Sequence, residues 1–302
     1  MCSANRLYKN STISIWIRLL PALLVLLPLM GGSMLYMFTY SLGQQSLLGE
    51  SRISLEAYRH ILVSVDYGPK FWESLLFSLW ISLASTLLSA CFAILVALLI
   101  RNSCFGRRSA AFLLQASLPI PHLVAAIAVL LLFSQSGLLA RGAYYLGFIS
   151  KPADFPVLTR DTRGIGIIIA YLWKEIPFLG LVVLAALAKA GTFHEESART
   201  LGANAWQRFC YIIFPQIFPA LSAASILVFS YVLGACEIPE LLGTRNPQGL
   251  PSLAWELFVS PDLRDRVAGM ALSVLMTILG LSLVALYQSL AKRAEAETGR
   301  GG

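Results

Sequence analysis

Apolar residues along this chain come in long unbroken runs separated by short polar segments. A helix needs about 20 mostly apolar residues to cross a bilayer, and six stretches reach that length, at about 15–40, 74–100, 110–134, 164–189, 210–235 and 267–290. The runs are apolar all round rather than at amphipathic spacing, which predicts helices enclosed by lipid or by one another. The expected fold class is all-α, a polytopic membrane protein of about six transmembrane helices. Residues 15–290 form the membrane domain, 1–14 precede it and 291–302 make a tail expected to be irregular. The loops at about 42–72, 135–163 and 236–266 have room for partial helices over the membrane surface, and SLEAYRHIL, Ser54 to Leu62, has a helical pattern of that kind.

Composition sharpens this picture. The chain is 57% hydrophobic and 13% charged over 302 residues, which leaves little for a soluble domain. The first stretch is longer than the roughly 7–15 apolar residues of a cleaved signal peptide and lacks a small-residue cleavage site after it, so it is expected to remain as an anchor. Cys2, Cys91, Cys104, Cys210 and Cys236 show neither metal nor disulfide spacing and are expected as free thiols. With a cytoplasmic N-terminus, the inner segments hold twelve Lys and Arg and the longer outer loops ten. That bias in density favours this orientation. The net charge of +7 then reflects anchoring at the inner face; no basic run is interleaved with aromatics as a nucleic-acid surface would require, and no nucleic-acid partner is expected.

Three spans carry polar detail. In the second, Ser74, Ser78, Ser82, Ser85 and Ser89 fall on one helix face, continued by Ala93 and Ala97. Such a stripe is either a seam for close helix packing or, at Ser78 and Ser82, a wet translocation wall. The third span contains Pro119, Pro121 and His122; each proline removes a backbone donor, so the helix must kink or unwind there. Broken helices line solute sites in transporters, while the plainer expectation is a kink with His122 bonded to a neighbouring carbonyl. The fourth span carries Lys174 and Glu175 beside Pro177. Adjacent residues point about 100° apart on a helix, so each needs its own partner, as a bridge to another span or as a group on a solute pathway.

Between the fourth and fifth spans lies a charged, helix-prone island at about 190–209. Thr192 and Glu195 have capping-box spacing, and Glu195 to Arg199 has the spacing of a favourable i,i+4 pair. Gly202 stands where a left-handed terminating residue belongs, and Asn204 is placed to cap a second helix running through Trp206 and Phe209 into the fifth span. The first arm offers Phe193, Ala198 and Leu201 among Glu195, Glu196 and Arg199. This suits either a groove on a soluble partner or a linker resting on lipid headgroups.

The island resembles the signature loop of type I ABC importer permeases, E-A-A-x3-G-x9-I-x-L-P, which here reads Glu196, Ser197, Ala198, Gly202, Ile212, Phe214 and Pro215. Ser197 and Phe214 depart from the pattern. The resemblance implies the transmembrane fold of that family and a place in a bacterial cytoplasmic (inner) membrane. It also implies a helix that docks on an ATP-binding subunit through Glu195, Glu196, Ala198, Arg199, Leu201 and Gly202. The implied partners are two ABC ATP-binding subunits, a second permease subunit (the same or a different chain) and an extracytoplasmic solute-binding protein. WKEIPF, Trp173 to Phe178, and EIPELLG, Glu237 to Gly243, are similar to the polyamine, thiamine and iron permease branch.

No phosphate loop of the form G-x-x-x-x-G-K-[ST] occurs, so no cofactor is expected in this chain and ATP is assigned to the partner subunit. No H-E-x-x-H or G-x-S-x-G is present and His60, His122 and His194 lie in three environments, so no catalytic and no metal site is expected. The candidate pathway residues are Ser78, Ser82, Pro119, Pro121, His122, Lys174, Glu175 and Glu237, the last near the outer mouth. The Glu237 and Glu240 pair is either an anchor for the outer loop or, together with the branch resemblance, a feature that favours a small cation such as a polyamine. An ion-gradient-driven secondary transporter or channel is the alternative, resting on the intramembrane Lys174, Glu175 and His122.

Overall fold

The computed structural model describes residues 4–43, 53–65, 67–102, 107–191 and 193–298. All regular structure among them is helical. In chain order the helices are α1 (Ala4–Ser41), α2 (Glu56–Val63), α3 (Gly68–Asn102), α4 (Arg107–Ser117), α5 (His122–Phe133), α6 (Leu138–Tyr145), α7 (Ile165–Ala190), α8 (Phe193–Thr200), α9 (Ala205–Arg208), α10 (Phe214–Gly234), α11 (Glu237–Leu242), α12 (Leu250–Val259) and α13 (Leu263–Thr298). Six segments are long and apolar enough to cross a membrane: Arg18–Ser41, Gly68–Arg101, His122–Tyr145, Ile165–Ala190, Ala205–Gly234 and Leu263–Ala285. The helix expected over SLEAYRHIL is α2, the loop expected at 236–266 contains α11 and α12, and α6, in the stretch expected as a loop, falls within the third crossing segment.

Local chemistry accounts for the boundaries. α3 begins at Gly68, ahead of the expected residue 74, because Pro69 in its first turn gives up an N–H that would have no intrahelical partner anyway. The third apolar stretch does not run through: the chain unwinds over residues 118–121 between α4 and α5, where Pro119 and Pro121 withhold donors from the ladder. α7 starts at a left-handed Gly164 (φ 73°), where an added Cβ would collide with the Ile81 side chain. Just before it, the Asp161 carboxylate accepts the N–H of Ile165 at 2.8 Å and that of Arg163 at 3.0 Å. Between α9 and α10 the helix widens into a π-helical turn, Phe209–Ile213, next to Pro215. The proline ring crowds the carbonyl one turn back, and the wider turn relieves that contact. The tail expected to be irregular after Leu290 is helical to Thr298, since its Ala, Lys, Arg and Glu are strong helix formers.

The chain divides into two compact units, residues 1–64 with 254–275 and residues 65–253 with 276–302. In the first, Ser41 Oγ and Tyr58 OH share a hydrogen bond of 2.7 Å that ties the end of α1 to α2. In the second, α7 is the central helix, packed by α3, α4, α5 and α10. Ile167, Tyr171, Leu179 and Val183 are completely buried along it, as suits a helix apolar all round. The serine stripe of α3 faces this interior: Ser82, Ser85, Ser89, Ala93 and Ala97 are all fully buried. Small side chains let the backbones of neighbouring helices approach closely where lipid supplies no hydrophobic drive.

Candidate functional site

Two places hold most of the predicted site residues, both in the second unit. The first is the charged island. α8 closes through Gly202, which sits at φ 85° with open space around the position of a Cβ. The N–H of Gly202 reaches the carbonyl of Arg199 at 3.1 Å and that of Ala203 reaches Ala198 at 3.0 Å. This is the paired closure of a Schellman turn. Asn204 and Gln207 then form a reciprocal capping box, Gln207 N–H to Asn204 Oδ1 at 2.8 Å and Asn204 N–H to Gln207 Oε1 at 2.9 Å. The order helix, glycine turn, capped helix is therefore as expected, whereas the Thr192 half of the first capping box lies outside the described residues.

Glu195 differs from the expectation. Its carboxylate pairs with Arg101, at the end of α3, at 2.5 Å and faces Arg208 of α9 at 3.9 Å, not with Arg199. The helix is turned so that Glu195 and Ala198 are half-buried against the bundle, while Glu196, Arg199 and Leu201 are exposed. No residue of α8 is buried. Phe193 is 74% exposed and Leu201 87%, so the apolar knob consists of these two side chains and excludes Ala198. The six island residues thus split into an inward-facing pair, Glu195 and Ala198, and an exposed set, Glu196, Arg199, Leu201 and Gly202. Arg101 carried no local signal in the sequence, since 94 residues separate it from Glu195.

The second place is the break between α4 and α5. Lys174 of α7 donates from Nζ to the carbonyls of Ser117, Leu118 and Ile120 at 3.1, 3.2 and 2.6 Å. One ammonium thus supplies the donors that the unwound turn lacks, and a cation suits the negative end of α4. Glu175, pointing away from it on α7, meets His122 with Oε1 at 3.3 Å from Nε2. The expected bond from His122 to a backbone carbonyl gives way to this carboxylate, because α7 brings Glu175 alongside the first residue of α5. The Tyr231 ring of α10 lies against the His122 ring, centroids 4.8 Å apart, and its hydroxyl donates to Glu237 Oε2 at 3.4 Å.

A polar line therefore runs from Glu237 at the start of α11 through Tyr231 and His122 to Glu175. Beside it opens a cavity of about 280 Å³, lined by Leu118, His122, Lys174, Glu175, Phe178, Leu227, Val228 and Tyr231. Three predicted pathway residues, His122, Lys174 and Glu175, line one space. Tyr231 was missed, since an aromatic in an apolar span gives no sign of what it stacks on. Pro119 and Pro121 create the break, and Glu237 is exposed at one end of the line. Ser78 and Ser82 do not line this cavity: Ser78 Oγ accepts the Leu250 N–H at 2.7 Å and Ser82 Oγ donates to the Ser78 carbonyl at 2.7 Å. Cys91, Cys210 and Cys236 are free thiols, while Cys2 and Cys104 lie outside the described residues. Among the described residues no group of three or more His, Cys, Asp and Glu is placed to hold a metal ion.

The chain is similar to known proteins in sequence and in fold. Residues 89–296 match the model of the family described as binding-protein-dependent transport system inner membrane component. The inner membrane ABC transporter permease protein YdcU of Escherichia coli (strain K12) is 27% identical over 240 residues, covering 76% of this chain and 74% of that protein. The sulfate transport system permease protein CysT of the same organism is 31% identical over 151 residues, about half of either chain (50% and 51%). A crystal structure of a bacterial alginate ABC transporter, in complex with alginate pentasaccharide-bound periplasmic protein, superposes with a TM-score of 0.77 at 19% identity. The match covers 96% of this chain and 98% of that one, and it is a likeness of fold.

Proposed function

The chain belongs to the family of binding-protein-dependent transport system inner membrane components and is a permease of the ABC-importer kind; from that premise we propose that its island, 190–209, is the coupling loop through which an ATP-binding subunit drives solute across the membrane. The observation that carries this reading is the two-sided helix α8, closed at Gly202 and tied inward by Glu195, with Glu196, Arg199 and Leu201 free on the other side. A carboxylate, a guanidinium and an apolar tip on a short rigid helix suit insertion into a groove. The N-terminus is cytoplasmic in this reading, which puts the island on the ATP side and Glu237 on the side where a binding protein releases solute. A second permease subunit completes the transmembrane pathway.

The solute class follows from charge. Lys174 spends its ammonium on three backbone carbonyls, so the groups left to meet a solute along the polar line are the carboxylates of Glu175 and Glu237 with the faces of Tyr231 and His122. Carboxylates and aromatic faces favour a cation. The chain is proposed to pass a small organic cation of the polyamine kind. Uptake into vesicles carrying the complete transporter tests both parts, with spermidine and sulfate as alternative solutes. The expected result is spermidine uptake that needs ATP and the binding protein and withstands an uncoupler. Sulfate uptake in its place would reverse the solute class, and uptake that ignores ATP but collapses with the uncoupler would replace the importer by a gradient-driven transporter.

A further inference from the structure

α8 has no buried residue, so side-chain packing gives it little grip on the helices it is meant to move. Polar ties remain. Within the helix, Ser197 Oγ turns back to the Phe193 carbonyl and Thr200 Oγ1 to that of Ser197, which stiffens the arm without attaching it. The ion pairs that leave α8 among the described residues both start at Glu195. Arg101 and Glu195 are only 16% and 27% exposed, so water screens them less than it would a surface pair. Arg208 Nε is buried without a hydrogen bond and faces the same carboxylate.

We infer that Glu195 is a positioning residue of the transport cycle, gripping Arg101 so that displacement of α8 is passed to α3. This rests on the coupling-loop reading above. α3 is one continuous helix from Gly68 to Asn102, and towards its other end Ser78 Oγ holds the Leu250 N–H and Trp80 Nε1 donates to the Arg163 carbonyl at 3.0 Å. A pull at Arg101 is therefore delivered to the segments at the opposite end. Adjacent side chains on a helix point about 100° apart, which lets neighbouring glutamates divide the work: Glu195 grips this chain and Glu196 faces the partner.

The test uses the complete transporter in proteoliposomes, scoring assembly, ATP hydrolysis and solute taken up per ATP. Glu195→Gln and Arg101→Gln are each expected to assemble and hydrolyse ATP while uptake per ATP falls on the order of five-fold, the low end of ordinary coupling energies. The double variant should lose no more than Glu195→Gln alone, because the contact that Arg101→Gln removes is already absent there. Arg101→Lys, which keeps the charge, should recover part of the loss. Losses that multiply in the double variant, or assembled single variants with unchanged uptake per ATP, would overturn the grip while leaving the coupling loop in place. Variants that fail to retain the ATP-binding subunit would also overturn it, by making Glu195 a docking residue. A wild-type chain that holds no ATP-binding subunit would instead remove the coupling loop itself, and the grip with it.

Discussion

Two residues carry more conformational responsibility than their size suggests. Gly202 closes α8 at φ 85°, a region that costs a residue with a Cβ roughly 1–2 kcal/mol. Because nothing lies within 4 Å of the missing Cβ, that cost is backbone strain and not collision. Gly202→Val should therefore insert and assemble yet lose uptake, while Gly202→Asn, which tolerates the left-handed region, should keep most of it; equal uptake in both variants would show that the turn is not needed. Lys174 acts through its ammonium, which satisfies three carbonyls at the unwound turn. Lys174→Met deprives them at membrane depth and is expected to destabilise the chain by about 2–3 kcal/mol. Thermal unfolding of the purified protein in detergent should show the midpoint several degrees lower. An unchanged midpoint would mean that another donor reaches the break.

At the scale of elements, the discontinuity between α4 and α5 and the helix α7 beside it form one device. Proline chemistry made the break legible in the sequence, and the 100° divergence of Lys174 and Glu175 made separate partners necessary. Which partners they found was not legible, because those contacts join α7 to positions more than fifty residues away (57 for Ser117, 53 for His122). Local spacing likewise pointed Glu195 at Arg199, but the tilt of α8 offers it Arg101 instead. Capping, by contrast, is written in residues three or four apart, and the Asn204–Gln207 box and the Gly202 turn could be read directly. For the cavity beside the break, Glu175→Gln removes the carboxylate that faces His122 and is proposed to meet the solute. Its half-saturation constant for spermidine uptake is expected to rise about ten-fold, the worth of one charge-assisted hydrogen bond. A fall in maximal rate with unchanged half-saturation would assign Glu175 to the architecture of the break alone.

For the whole molecule, the six spans followed from apolar run length, since the bilayer fixes how long a crossing helix must be. In the proposed reading the island distinguishes this chain from a self-sufficient transporter: α8 has no buried residue and exposes Glu196, Arg199 and Leu201, which are assigned a complement on another subunit. The central claim is that this complement is an ATP-binding subunit. The direct measurement is affinity purification of the tagged chain in mild detergent from cells that make all components, comparing wild type with Glu196→Lys. An ATP-binding subunit should come down with the wild-type chain and be lost with the variant, both being present in the membrane in equal amount. A wild-type chain that purifies alone, or a variant that retains the subunit as well as wild type, would contradict the account.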